Sequence, residues 1–223
     1  MIGDETTRLA LKTELLQRVE ALGINQALFP SPVQTIDQIV QQLESLNPIP
    51  RPLSPNHLPS LLGDWQLVYA SRGTVVTRAI ASTPNMLGGI QIKQVWQSLV
   101  TGDPGKIKAS NGALIDLPLL GEWQLQADGH WKWRDSEQIA KVTFGTFSIR
   151  ATKPFGLESW NLPELKIPVL EFLRKEALWT TSYLDAEIRI GRGATGNLFV
   201  FRRDRQLVNE SRQSPRPLKG GEG

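Results

Sequence analysis

Few residues of this chain are equipped for chemistry. Its 223 residues include no Cys and two His, at positions 57 and 130. Without Cys there are no disulfides, thiolate ligands or thiol nucleophiles, which fits a reducing compartment. His57 sits among prolines and His130 follows Asp128-Gly129, a predicted tight turn, so neither a His-based metal site nor a Ser-His-Asp triad is expected. No catalytic residue, metal or cofactor is expected. Asp185, Glu187 and Arg189 alternate along a predicted strand and share one face, with Leu184, Ala186, Ile188 and Ile190 on the other. Two readings stand for that row: a solvent-facing polar face, or charges set at the end of a barrel against an aromatic ring. Paired carboxylates at 185 and 187 have acid–base spacing but no neighbouring base. Gly191-Arg192-Gly193-Ala194-Thr195-Gly196 matches the dinucleotide-binding pattern letter for letter. That pattern works where glycines open a helix whose N-terminus receives a pyrophosphate. Strand material, Asn197 to Phe201, follows instead, so the segment reads as a glycine-rich hairpin loop.

The elements that position these residues fall into four stretches. Residues 1–47 hold a helical pair. Leu9, Leu15, Leu16, Val19 and Leu22 follow helical spacing, and Gly23 is a stop. A second helix runs from Thr35 to about Leu46, with Thr35 and Gln38 as a capping box and Ile36, Ile39, Val40 and Leu43 as its apolar face. Residues 48–60 carry prolines at 48, 50, 52, 55 and 59, which exclude helix and inner strand and predict an extended linker. Residues 61–203 are strand-rich. Trp65, Leu67 and Tyr69 share a face, Ile92–Leu99, Ile107–Leu117 and Val142–Arg150 are strands, and Trp123 to Trp133 is predicted to be a hairpin turning at Asp128-Gly129. Residues 154–180 are broken by proline, with a helical turn or two over Val169 to Ala177. Residues 204–223 are polar and predicted disordered. Leu62-Gly63-Asp64-Trp65-Gln66-Leu67 is echoed by Leu120-Gly121-Glu122-Trp123-Gln124-Leu125, too short an echo for a repeat. The pattern predicts a mainly β fold, an antiparallel barrel or sandwich with an N-terminal helical hairpin.

Composition narrows the function. Formal charge is +3, hydrophobic residues are 40% and charged residues 21%, ordinary for a soluble domain and poor in the basic–aromatic stripes of nucleic-acid binders. No apolar run approaches a transmembrane span, and neither a signal peptide nor a transit peptide is expected from the first 25 residues. Seven tryptophans leave two destinations for the aromatics, a filled core or the wall of a cavity. For the cavity the candidates are Trp65, Tyr69, Trp96, Trp123, Trp131, Trp133, Phe147, Phe199 and Phe201, with Asp185 and Arg189. Gly63-Asp64-Trp65 suits a plug at a barrel's closed end, with Arg189 or Arg192 laid over the Trp65 ring.

Two blocks carry a resemblance. Gly63-Asp64-Trp65-Gln66-Leu67-Val68-Tyr69-Ala70-Ser71 resembles the Trp-x-Leu-x-Tyr-(Thr/Ala)-Ser opening of the fibrillins, also called plastid lipid-associated proteins. Tyr183-Leu184-Asp185-Ala186-Glu187-Ile188-Arg189-Ile190-Gly191-Arg192-Gly193, with Gly196-Asn197-Leu198-Phe199-Val200-Phe201, resembles their closing segment more closely. The resemblance spans about residues 6 to 203. It implies a lipocalin-like antiparallel β-barrel, association with plastoglobules or thylakoids, and binding or shielding of carotenoids, quinones or other apolar lipids. It also implies a role for Asp185 in holding a small hydrophobe, with Arg189 and Arg192 as the motif's arginines. The expected absence of a transit peptide points to a cyanobacterial protein, in the cytoplasm or peripheral on the thylakoid.

Three functions follow, in this order: a non-enzymatic carrier of a small hydrophobic lipid with peripheral membrane contact; a thylakoid scaffold with a filled barrel, whose contact surfaces are the helical pair and residues 154–180; and a lipocalin-like bilin lyase holding propionates on Arg150, Arg189 or Arg202. No nucleic-acid partner is expected, and protein partners stay open.

Overall fold

The computed structural model describes residues 2–29, 34–74, 77, 89–133, 138–155, 164–167 and 177–204. The Phe29 to Pro32 loop beyond Phe29, nearly all of the expected helical turns at 169–177 and the expected tail from 205 onward lie outside them.

The chain begins with α1 (Ile2–Leu28) and α2 (Gln34–Ser45). Gly23 breaks α1 with φ 69°, as its sequence position predicts, and a last helical turn follows. The buried stripe of α1 is Leu15, Val19, Ala27 and Leu28; Leu9 is 60% exposed and does not belong to it. Ile36, Ile39, Val40 and Leu43 of α2 are all buried, whereas Thr35 lies inside the helix rather than capping it. The proline stretch is a run of turns, not an extended linker, and it ends in α3 (Leu58–Leu61) with proline in its first turn. Asn47 pins the start of that stretch to a strand: its side chain bonds Ile49 at both N–H and C=O, donates to the Ser182 carbonyl and accepts the Leu184 N–H.

Nine antiparallel strands follow among the described residues: β1 (Gly63–Ala70), β2 (Gln91–Thr101), β3 (Lys106–Leu117), β4 (Gly121–Lys132), β5 (Ile139–Pro154), β6 (Leu165–Ile167), β7 (Ala177–Leu184), β8 (Ile188–Gly193) and β9 (Leu198–Arg203). Pairings run β4-β3-β2-β1-β9-β8-β7-β5, and β4 also pairs with β5, so eight strands form a closed circuit, with β6 beside β5. Such closure gives each of the eight a partner on both sides. The two sequence blocks meet as neighbours: β1 pairs with β9 through Trp65↔Arg203 and Leu67↔Phe201. A side-chain latch holds that junction. Asn197 accepts from Ser71 Oγ and the Arg72 N–H and donates to the Gly73 carbonyl, while Ser71 Oγ accepts the Leu198 N–H.

Strands β8 and β9 are largely buried on both faces because both are covered. Ile188, Ile190, Leu198 and Val200 point outward and pack under α1 and α2 with Tyr69 and Tyr183. The period-two alternation then sends Arg189, Gly191, Phe199 and Phe201 inward. Two expectations fail through irregular strand geometry. Asp128-Gly129 is not a turn: β4 runs straight through it with a bulge against β5, and a Cβ on Gly129 would lie 2.0 Å from the Thr143 carbonyl oxygen. Glycine there permits a close backbone approach, not a reversal. Likewise a bulge between Leu67 and Tyr69 turns Tyr69 out of the face it was expected to share with Trp65 and Leu67.

Candidate functional site

A cavity of about 400 Å³ lies inside the circuit of strands. All eight strands of the circuit contribute to its wall, which is apolar apart from a few amides and threonines. Its aromatic side is a chain of tilted rings: Trp131 to Trp179 at 5.8 Å between centroids, Trp179 to Phe199 at 5.2 Å and Trp179 to Phe201 at 6.0 Å. Such offset contacts are favourable and rigid. Two rings sit on glycines. A Cβ on Gly112 would lie 2.1 Å from Trp96, its strand partner, and a Cβ on Gly191 would lie 1.9 Å from Trp179. Both glycines let an indole lie flat against the wall and leave the space free.

Of the expected residues, Trp96, Trp131, Phe147, Phe199 and Phe201 line the cavity. Tyr69 does not: the β1 bulge buries it under the helices. Trp123 is half-buried near the rim, its indole N–H on the Leu120 carbonyl, and Trp133 also lies outside the lining. Trp179, Leu67, Val95 and Phe144 line it and were not anticipated. For Trp179 the signal was present in part: it shares a face with Thr181 and meets the glycines of β8, before a bulge turns Tyr183 to the outer face.

Trp65 is fully buried below the cavity, its indole N–H on the Leu61 carbonyl. Two guanidiniums flank its ring, Arg189 with its central carbon 4.9 Å from the centroid and Arg203 at 4.0 Å. Arg192, expected as a cover, instead makes a bidentate pair with Glu44 of α2 at 2.8 Å through Nε and Nη2. Arg203 was missed. It donates to three backbone carbonyls, those of Ala186, Leu62 and Ser60. Arg189 is 0% exposed, and its guanidinium also lies over Phe201 at 4.3 Å and Trp131 at 5.8 Å. Its Nη2 donates to Gln97 Oε1, and Gln97 donates onward to Asn111 Oδ1 at 2.6 Å. Among the described residues, Arg189 Nε and Nη1 and the Trp131 indole N–H have no acceptor. Burial, with Arg203 nearby, holds the Arg189 guanidinium's pKa well below its usual value.

Asp185 was expected on a strand facing the ligand. It stands in the turn between β7 and β8, away from the cavity lining. Its Oδ1 accepts the N–H groups of Glu187 and Ile188, its Oδ2 accepts the Tyr183 hydroxyl at 2.8 Å, and Lys12 of α1 bridges it and Glu187 at 3.0 and 2.9 Å. Burial pushes this carboxyl up, but the Ile188 and Glu187 N–H groups, Lys12 and Tyr183 together hold it below its usual range. The charged row is therefore split by the turn, with Arg189 alone directed inward. Arg150 donates to Gln124 on an exposed surface, and Arg202 lines a separate polar surface groove.

A closed antiparallel circuit around an aromatic-walled apolar space defines a β protein built about an internal pocket. The sequence match is specific: residues 10–202 match the PAP_fibrillin family model, and the chain belongs to that family. Two relatives from Arabidopsis thaliana are similar over most of this chain. A protein described as probable plastid-lipid-associated protein 8, chloroplastic, is 26% identical over 199 residues, covering 86% of this chain and 71% of that protein. Another, described as probable plastid-lipid-associated protein 3, chloroplastic, is 25% identical over 202 residues, covering 75% of this chain and 50% of that protein. No helix among the described residues is long and apolar enough to cross a membrane.

Proposed function

We propose that this protein binds a small hydrophobic lipid, of the carotenoid, quinone or isoprenoid type, inside a lipocalin-like barrel, without catalysing a reaction on it. The observation that carries this reading is the cavity itself, with a volume and an apolar wall of the kind that small-molecule sites have. Family membership and the relatives' plastid-lipid-associated names support a role beside thylakoid- or plastoglobule-type membranes. So does one end of the circuit. Leu119, Leu120, Phe155 and Leu165 are exposed toward the end where β3 turns into β4, and Leu178 is exposed at the start of β7. Leu178 is both exposed and part of the cavity lining, so at the start of β7 an apolar side chain reaches from the surface to the pocket. Exposed apolar side chains at the strand ends, one of them on the pocket wall, suit loading from a lipid phase by peripheral contact.

The scaffold alternative needs a filled interior, which the cavity argues against. For the bilin-lyase alternative, Arg150 and Arg202 lie on the surface, leaving Arg189 as the inward cation. The test is a titration of the purified protein with a carotenoid and a short-chain quinone, read by quenching of Trp131 and Trp179 fluorescence. Saturable one-to-one quenching is expected, and Ala113→Trp, which fills the lining, abolishes it. Absence of saturable binding by either ligand sinks the reading.

A further inference from the structure

The cavity floor is electrically unbalanced. Arg189 is wholly buried, and an isolated charge in such a place is costly unless it is paired and hydrogen-bonded. An Arg stays protonated at neutral pH, so the cost is not escaped by neutralisation. Its described hydrogen-bond partner is a neutral amide, Gln97, and its charged neighbour is another cation, Arg203. The rings of Trp65, Phe201 and Trp131 offer it their faces, which recovers part of the cost. Two of its nitrogens and the indole N–H of Trp131 still lack acceptors among the described residues. Trp131, Phe201 and Gln97, which surround the guanidinium, all line the cavity. Arg189 itself lies just behind that wall, so the unsatisfied groups found among the described residues are all donors, gathered directly beneath one end of an otherwise apolar space, next to an unmatched positive charge.

We infer that the floor receives the anionic head of an amphiphile, a carboxylate, with the Trp131 N–H and the Arg189 charge holding the head and the aromatic wall holding an apolar tail. A wholly apolar lipid leaves all three donors empty. A neutral carbonyl satisfies a donor but leaves the charge unmatched. A carboxylate answers both, because charge-assisted hydrogen bonds are stronger than neutral ones and the water-poor surroundings amplify the attraction. The inference rests on the cavity being a lipid pocket, and it adds polarity and orientation to that reading: head inward, tail toward the exposed Leu178.

The experiment compares three ligands with one tail, dodecanoate, dodecanol and dodecylamine, each below its micellar concentration. Binding is measured by calorimetry to the wild-type chain, Arg189→Met and Arg189→Lys. Dodecanoate is expected to bind wild type about tenfold more tightly than dodecanol, and dodecylamine more weakly than either. Arg189→Met is expected to lose the preference for carboxylate while keeping its affinity for dodecanol, and Arg189→Lys to keep part of the preference. Melting temperatures supply a readout that a merely structural arginine would move the other way. Ligand-free Arg189→Met is expected to be at least as heat-stable as wild type, because Met fills similar space without an unpaired charge. Dodecanoate then raises the melting temperature of wild type but not of the variant. Equal affinity of wild type for dodecanoate and dodecanol, or an undiminished preference in Arg189→Met, overturns the inference and leaves the lipid pocket standing. Failure of all three ligands to bind overturns both. Should Arg189→Met not fold, Trp131→Phe keeps a ring and removes the N–H; it is expected to weaken dodecanoate and spare dodecanol, and equal weakening of the two overturns the inference.

Discussion

Two arginines lie against the same tryptophan ring and lead different lives. Arg203, on the side of Trp65 away from the cavity, donates to the carbonyls of Ser60, Leu62 and Ala186, where α3, the approach to β1 and the β7–β8 turn converge. Arg189, on the cavity side, sits among strands whose own carbonyls are committed to the ladder, and one amide oxygen is its described partner. Strand ends expose spare backbone acceptors and strand middles do not. A guanidinium at the closed end can thus be absorbed into the architecture, while one residue set further inside is left with donors to offer. Position along the strand, not residue type, separates the fastening from the site.

The strongest way to break this contrast is to remove the fastening. Arg203→Met strips three carbonyls of a charged donor and uncovers Trp65, so a loss of about 2–3 kcal/mol and a fall in melting temperature of roughly 6–10 °C are expected. If Arg203→Met and Arg189→Met destabilise the protein equally, the distinction fails. A somewhat smaller loss, about 2 kcal/mol by urea unfolding, is expected for Asp185→Ala, which releases two backbone N–H groups, the Tyr183 hydroxyl and Lys12. Its pH dependence has a definite sign. The Asp185 carboxyl is held below its usual value, so its contribution is present above about pH 4 and is lost as pH falls through the depressed folded value. For Lys12, burial pulls the pKa down, but hydrogen bonds to Glu187 and Asp185 outweigh it and hold the ammonium above its usual value. Its contribution is present below about pH 10 and is lost as pH rises through the raised one. Asp185→Asn is expected to flatten the acid limb of a melting-temperature profile; an unchanged limb counts against the turn as its source.

On the cavity side, Gly191→Ala drives a methyl group into the seat of Trp179 and pushes the indole into the pocket. A stability cost of about 1–2 kcal/mol accompanies a loss of apolar-ligand affinity of about tenfold. Unaltered affinity shows that Trp179 does not bound the ligand space. The smallest effect belongs to a third arginine: Glu44→Gln weakens the partly exposed pair with Arg192 and is expected to cost about 0.5–1 kcal/mol, less in high salt. A double-mutant cycle measures it, and a coupling above that range promotes Arg192 to a fastening as well.

The meeting of the two end blocks was legible because both carry dense, alternating strand patterns; the glycine loop was legible only in part, since Gly191 to Gly193 continue β8 and the turn begins after them, with Gly196 at positive φ. What stayed hidden followed from irregularities that period-two reading cannot see. The bulge after Leu67 moves Tyr69 to the opposite face, and the bulge at Asp128-Gly129 disguises a continuous strand as a turn. Asp185 read as strand because Tyr183 to Ile190 alternates so cleanly, yet its carboxylate bonds the N–H groups two and three residues on and bends the chain there. Arg203 carried no signal beyond ending the last strand, since its three acceptors are backbone carbonyls from distant segments. The echo of Leu62–Leu67 in Leu120–Leu125 is a shared local device: Gly63 and Gly121 both take positive φ, and each following Trp returns its N–H to a carbonyl three or four residues back.

The pairing of β1 with β9 also sets an order of events during synthesis. The first strand to leave the ribosome waits for the last, because Trp65 finds its neighbour in Arg203. Until then β1 lacks one partner, and α1 and α2 lack the Ile188, Ile190, Leu198 and Val200 surface on which they pack. Contacts of such long sequence separation close late and slowly. A nascent chain released short of residue 198 is left with an open sheet edge and an uncovered helical pair, a state suited to capture by a chaperone.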